Sequence, residues 1–356
     1  MFSSIRHPPK PSLNTPIILF LRHGVPHIPR PEITTSLALN SNATVVRLDY
    51  RLSDQHPYPT PIHDVLAGYD WVQKHLARST QTSNGLYQTV KYAKLGVCGE
   101  LIGGSLASML ALTECHNSKP GISGAAIGNP IVDWTSLFPA KEEDESQNMA
   151  PPEESIYSQP SGIQDGASTK GSANNRTKAE SSGILSTEGL MNLRSTLFAK
   201  PETYFDPFTS PLLFFRTPGY DLPPTPSAFA SLRINGSDND EQVINDSVPP
   251  IKKRRSHRKY PPSTSNLRLP RLRVEVGKEN ALRTQGLELV ELARRSIGLW
   301  EEGGRDSVWE EDGTTKLRPG VAEERVQFIE REELGLWGER RMAEIGQWFG
   351  EVLRRS

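Results

Sequence analysis

The sequence predicts an α/β fold built on a doubly wound, mostly parallel sheet, and three observations predict it. Strand-like and helix-like segments alternate along the chain. The first strand-like run is apolar throughout, and two long polar stretches interrupt the alternation without changing its order. Alternation of this kind implies a parallel sheet covered by helices on both faces. Short connections with right-handed crossovers then make the doubly wound arrangement the default.

Residues 17–21 are a continuous apolar run, as a strand buried on both faces requires. Residues 43–49 read as a second strand, running into Tyr50 and Arg51. Over 63–77, Val65, Leu66, Tyr69, Val72 and Leu76 recur at helical spacing. A strand over 94–98 leads through a glycine-rich turn to a helix over 105–115 that contains Leu106, Met109, Leu110 and Leu112. The reading continues with a short strand at 124–127, an amphipathic helix at 187–199 and a strand at 272–276. A helix at 282–297, a strand at 325–329 and a last helix at 340–353 complete it.

The interruptions are residues 139–183, acidic and then Ser/Gly/Asn/Gln-rich, and 217–266, Pro-rich and then basic. Neither has enough apolar surface to offset its ordering entropy, so both are expected to be disordered insertions. Removing them leaves roughly 260 residues, enough for one α/β domain. Residues 16–138 would be the N-terminal half of the core, 184–216 a cap helix and return segment, and 267–356 the C-terminal half.

The formal net charge of −1 gives no reason to expect nucleic acid as a partner. The two cysteines, Cys98 and Cys115, make no disulfide framework and suit a reducing compartment. No apolar run reaches membrane-spanning length and no signal peptide is recognisable, so a cytoplasmic protein is expected. Lys252, Lys253, Arg254 and Arg255 form a compact basic run, readable as a nuclear-import signal or as a solvated loop. Phosphate-loop, zinc and dinucleotide spacings do not occur, so neither cofactor nor metal is expected.

Five stretches resemble one family in its order. Asp49-Tyr50-Arg51-Leu52 with His56-Pro57-Tyr58-Pro59 is similar to the "DYRLAPEHPFP" segment of hormone-sensitive-lipase-like esterases. Asp64 with Trp71-Val72 resembles the helix that follows it. Gly99-Glu100-Leu101-Ile102-Gly103-Gly104 resembles the "GDSAGG" nucleophile elbow, Asp206 to Leu212 the "DP…SPL" segment, and Asn280 to Gly286 "DPLRDEG". The resemblance implies an α/β-hydrolase fold. Because His23-Gly24, matching the family's His-Gly-Gly-Gly stretch, comes so early, it also implies that the leading strands and part of the N-terminal cap are absent.

Ester hydrolysis on this fold needs a serine on a strained strand-to-helix turn, a late histidine base, an acid to orient it, and backbone N–H donors for the oxyanion. The resemblance places Leu101 at the nucleophile position, Asn280 at the acid and Leu334 at the histidine. Among the eight histidines none follows His257. The remnant of the oxyanion loop is His23, Gly24, Val25 and Ile102, and Pro26 brings no N–H. Ser105 and Cys98 are the nearest alternative nucleophiles, and Glu279 or Glu275 alternative acids. Each has a plainer reading: a helix serine, a buried cysteine, solvated carboxylates. The expectation is therefore a catalytically inactive hydrolase-fold protein acting in binding of a small apolar ligand or in protein interaction. The alternative is an active carboxylesterase with a non-standard site.

Overall fold

The computed structural model describes residues 2–9, 15–25, 33–83, 87–117, 120–137, 183, 185–220, 255–262, 264–301, 307–309, 315–317 and 320–355. Eleven strands run in chain order among them: β1 Phe2–Arg6, β2 Ile17–Leu21, β3 Thr44–Leu48, β4 Arg78–Ser83, β5 Tyr87–Tyr92, β6 Leu95–Glu100, β7 Ile122–Gly128, β8 Arg271–Gly277, β9 Ser307–Trp309, β10 Thr315–Leu317 and β11 Val326–Arg331. Seven of them form the main sheet in the order β1-β3-β2-β6-β7-β8-β11. β1 is antiparallel to β3, and every other neighbouring pair is parallel. β4 pairs with β5 and β9 with β10 as separate antiparallel ribbons.

The helices are α1 Thr34–Ser41, α2 Thr60–His75, α3 Ile102–Thr113, α4 Thr187–Leu197, α5 Arg283–Glu301, α6 Val321–Arg325 and α7 Glu339–Arg355. Alternating side chains send each central strand into two cores. Ile18, Phe20, Val45, Cys98 and Ala126 meet Leu37 of α1 and Met342, Ile345, Phe349 and Leu353 of α7. On the other face Leu19, Val46, Val97, Ile127 and Val274 join Val65 and Tyr69 of α2, Leu106 and Leu110 of α3, and Val290 and Ala293 of α5. All residues of β2 and β6 are buried. This is what continuous apolar runs in a parallel sheet signify.

Local chemistry sets the helix ends. α1 stops at Asn42, whose φ of 53° is the left-handed conformation that asparagine tolerates. α2 opens with Pro61 in its first turn, where a missing N–H costs nothing. The Ser186 hydroxyl caps α4 by accepting from the Gly189 N–H at 3.1 Å. α4 is tied to the domain by Arg194, which donates to the Trp134 carbonyl at 2.8 Å, and by Phe198, stacked on Tyr58 with centroids 4.6 Å apart.

One expectation needs correction. The sheet does carry a leading strand: β1 runs antiparallel along β3, a pairing that its polar sequence does not advertise. Of the stretch 217–266, residues 217–220, 255–262 and 264–266 are described, and the expectation for the rest lies outside the described residues. Thr217 donates to the Ser256 carbonyl at 2.9 Å, Arg216 bridges His257, and buried Tyr260 donates its hydroxyl to the Leu112 carbonyl at 2.7 Å. The first insertion, 139–183, lies outside the described residues apart from Gly183, as do Lys252, Lys253 and Arg254 of the basic run. Arg255 is described and donates to Glu288 at 3.3 Å. Among the described residues, no helix is long and apolar enough to cross a membrane.

Candidate active-site edge

The turn between β6 and α3 sits at the C-terminal edge of the sheet, and close backbone approaches hold it there. A Cβ on Gly99 would lie 2.3 Å from the Gly103 carbonyl oxygen, and one on Gly103 would lie 2.2 Å from the carbonyl oxygen of Arg22. No side chain fits either gap, so the glycines are demanded by packing. Between them Leu101 has φ 56° and ψ −117°, a conformation that costs a non-glycine residue about 1–3 kcal/mol. The surroundings impose it. The Leu101 N–H donates to Gly128 at 2.9 Å, and its carbonyl accepts from Ser105 at 2.9 Å. The Leu101 side chain is 0% exposed and belongs to the same apolar cluster as Val25 and Ile102.

The facing loop follows β2. Tyr50 donates its hydroxyl to the Arg22 carbonyl at 2.7 Å, and Arg22 returns a bond to the Tyr50 carbonyl at 2.7 Å. Gly24 has φ 73°, and a Cβ there would meet the Tyr50 hydroxyl at 2.6 Å. The Val25 N–H donates to His23 Nδ1 at 3.1 Å, so this imidazole supports the loop through one ring nitrogen. The Ile102 N–H, where an oxyanion donor is expected, donates to the His23 carbonyl at 3.2 Å. An N–H satisfied by the protein in this way is not directed at a substrate oxygen. Pro26 lies outside the described residues.

Asn280 and Leu334 are brought together, 54 residues apart in sequence: the Asn280 side-chain amide donates to the Leu334 carbonyl at 3.3 Å. Its Oδ1 accepts from the Leu282 N–H at 3.0 Å, starting the turn into α5. Asn129, which sequence reasoning missed, joins the pieces. It is fully buried, donates to the Leu334 and Gly335 carbonyls at 3.1 and 3.2 Å, and accepts from the Gly277 N–H at 3.0 Å. It directly follows Gly128, whose carbonyl holds Leu101. The only sequence signal was a polar residue between a strand end and Pro130, which reads as an ordinary turn.

The alternative residues stand elsewhere. Ser105 is buried in α3, with its hydroxyl 3.4 Å from the Thr209 carbonyl. Cys98 lies in the α1/α7 core, where burial pushes its thiol well up and leaves it unreactive. Glu275 faces the same side and bonds Arg273 and Arg331 at 2.8 and 3.2 Å. Glu279 is exposed, and so is His257. No group of three or more His, Cys, Asp or Glu among the described residues is arranged to hold a metal.

A second polar feature behind the elbow was not foreseen. Asp133 and Arg216 are both fully buried, and Arg216 donates to Asp133 Oδ2 at 2.7 Å and to Glu288 Oε1 at 2.6 Å. Burial alone would raise the Asp133 carboxyl, but the Arg216 charge and bonds from Thr135 and Arg216 hold it below its ordinary value. Gln285 accepts from the Val132 and Asp133 N–H groups at 3.0 and 2.9 Å. Ser210 accepts from Trp134 at 3.1 Å, and Leu212 donates to Val132 at 3.1 Å. Arg51 grips buried Asp64 with bonds of 3.0 and 2.8 Å. The family-like motifs thus survive where their side chains hold the fold.

Residues 26–232 match the alpha/beta hydrolase fold family. The chain belongs to that family. Esterase LipI of Mycobacterium tuberculosis is 29% identical over 107 residues, which are 30% of this chain and 31% of that protein. Tuliposide A-converting enzyme b1 of Tulipa gesneriana is 27% identical over 126 residues, covering 34% of this chain and 33% of the enzyme. The chain therefore spans about a third of the length of these curated relatives. The solved esterase of Pyrobaculum calidifontis is similar in fold, with a TM-score of 0.51 and 15% identity over 97% of this chain and 78% of the esterase.

Proposed function

We propose that this esterase-like α/β-hydrolase does not hydrolyse esters by its family's route. On this reading its former catalytic edge serves binding of a small apolar ligand or of a protein partner. The observation that carries the reading is the apex of the elbow. Leu101 occupies a strained, fully buried turn while offering neither a nucleophilic lone pair nor a transferable proton. The missing parts are correlated. Asn280 stands for the orienting acid and supplies no full negative charge, Leu334 stands for the base, and the His23 carbonyl takes the Ile102 N–H. His23, Gly24, Val25 and Ile102 keep the loop's shape without its function.

Turnover of a short-chain nitrophenyl ester and labelling by a fluorophosphonate probe test this directly. Wild type is expected at the background rate and unlabelled. Leu101→Ser alone should stay there, because triad members act as a unit. Adding Asn280→Asp and Leu334→His should raise the rate. The gain stays short of full activity, since one unavailable oxyanion donor costs about 10²–10³ in kcat. Binding is tested by a rise in Tm with short-chain fatty acids.

The names of the curated relatives favour a second reading, hydrolysis of carboxylic esters through an arrangement other than Leu101, Asn280 and Leu334. Rapid wild-type turnover that survives Leu101→Ala would establish it and remove the first.

A further inference from the structure

The basic run of the sequence ends at Arg255, and His257, Arg258 and Lys259 follow it closely. Residues 255–260 are pinned to α5 at both ends. Arg255 donates to Glu288 at 3.3 Å, and Ser296 donates its hydroxyl to the Tyr260 carbonyl. Between these clamps the backbone pairs with the stretch that follows Leu212. The Arg258 N–H donates to the Phe215 carbonyl at 2.6 Å, and the Thr217 N–H to the Ser256 carbonyl at 2.9 Å. A groove of about 200 Å³ lies between this segment and the second half of α5.

Buried Phe215 and Leu292 form the floor of the groove, and Leu299, 45% exposed, adds apolar surface at its rim. One wall brings Arg258 and the other Arg295. Both arginines are exposed, and neither side chain has an ion pair or hydrogen bond among the described residues. Lys259 lines the groove too, with a partner of its own within the protein. No carboxylate among the described residues lines it. On α5 the carboxylates preceding Arg295 are Glu288, bonded to Arg216 and Arg255, and Glu291, which forms no ion pair with Arg295. A solubilising role accounts for arginines on polar ground. It does not account for two unpaired guanidiniums brought by separate walls to one apolar floor.

We propose that this groove docks an acidic segment of a partner protein. One apolar side chain of the partner enters between the walls, and carboxylates beside it meet Arg258 and Arg295. The cavity is smaller than sites that enclose a whole small molecule, about 300–1,000 Å³, and suits a single side chain. Guanidinium forks match carboxylates bidentately, and arginines beside well-packed anchors recur as energetic centres of interfaces. A peptide chain continuing past its anchor covers Leu299 as well, which a small anion does not. The groove stands on the second half of α5, whereas the Asn280 turn precedes the first, so the site is independent of the reading of the elbow edge.

Fluorescence anisotropy of the full chain with labelled Glu-Glu-Leu-Glu-Glu and Glu-Glu-Phe-Glu-Glu peptides tests the assignment. Saturable binding of at least one is expected at low ionic strength, weakening as salt is added. Glutamine in place of every glutamate, or alanine in place of the apolar residue, should lower affinity by at least about tenfold. Arg258→Gln with Arg295→Gln should do the same. That double variant should also keep the ligand-free melting temperature, because neither side chain holds another part of the protein. Leu299→Ala provides an independent variant and should weaken the same peptides. Absence of saturable binding by both peptides would overturn the proposal, as would binding of phosphatidylglycerol vesicles in their place. So would unchanged affinity in the double variant, or a lowered melting temperature there, which would mean that the two arginines serve the fold.

Discussion

At the C-terminal edge of the sheet, charge is sunk into the protein and matched atom by atom. Asp133, Arg216 and Glu288 form one continuous ion network, and the peptide groups around Leu101 are satisfied by Gly128, Ser105 and His23. At the N-terminal edge, Lys94, Arg268, Arg271 and Arg325 collect around open space. The family's chemistry belongs to the first edge, and there the peptide groups of the elbow are paired within the protein. At the second edge Arg271 pairs with Glu324 at 3.2 Å and Arg325 donates to the Leu269 carbonyl, so the cations border a cavity instead of filling a core.

The matched edge should be the more fragile to charge removal. Arg216→Met removes the guanidinium bonded to buried Asp133, and urea unfolding should show a loss of about 3–5 kcal/mol. A loss under about 1 kcal/mol, as for a surface pair, would erase the contrast between the edges. The same network sets a pH dependence. The folded-state pKa of Asp133 is depressed, so its stabilisation is present above the usual aspartate value, about 4, and fades as pH falls below it through the folded value. Acid unfolding of wild type should therefore show a loss of stability below about pH 4 that is smaller in Asp133→Asn, where depressed Asp64 still titrates.

A smaller effect tests whether backbone packing holds the elbow. Gly103→Ala forces a methyl group against the Arg22 carbonyl and should cost about 1–3 kcal/mol. An unchanged Tm would mean that the turn is not held by that approach. The smallest effect is also the most specific. Leu101→Ala and Leu101→Gly both remove the buried isopropyl end of the side chain, but only glycine accepts φ 56° without strain. The glycine variant should be the more stable of the two by about 1 kcal/mol, the reverse of the usual order. Alanine equal or superior to glycine would show that the turn relaxes once the leucine is gone.

Much of the fold was legible because it depends on local pattern. The buried run at 17–21 is β2, and the strands read at 94–98, 124–127 and 272–276 all stand in the sheet, each one to three residues longer. The helix expected from Ser105 begins at Ile102, because the Gly103-Gly104 pair takes helical conformation directly after the apex. β1 and the β4/β5 ribbon went unread, since polar edge and hairpin strands carry little apolar periodicity. At the site, the juxtaposition of Asn280 with Leu334 followed from family order alone. The His23 carbonyl on the Ile102 N–H did not, because a backbone-to-backbone bond leaves no mark in side-chain identity. Asp133 and Arg216, 83 residues apart, were invisible for another reason: nothing local distinguishes a buried charge from a solvated one.

The tight contacts at Gly99 and Gly103 bear on how such chains are recognised. A glycine demanded by a carbonyl oxygen little more than 2 Å from where its Cβ would be is retained for the sheet's sake, whatever residue rides on the turn. The residue at the apex is under no such demand and is free to drift. A search keyed to the glycine pattern will therefore gather hydrolases and silent relatives alike, and only the letter between the glycines can sort them.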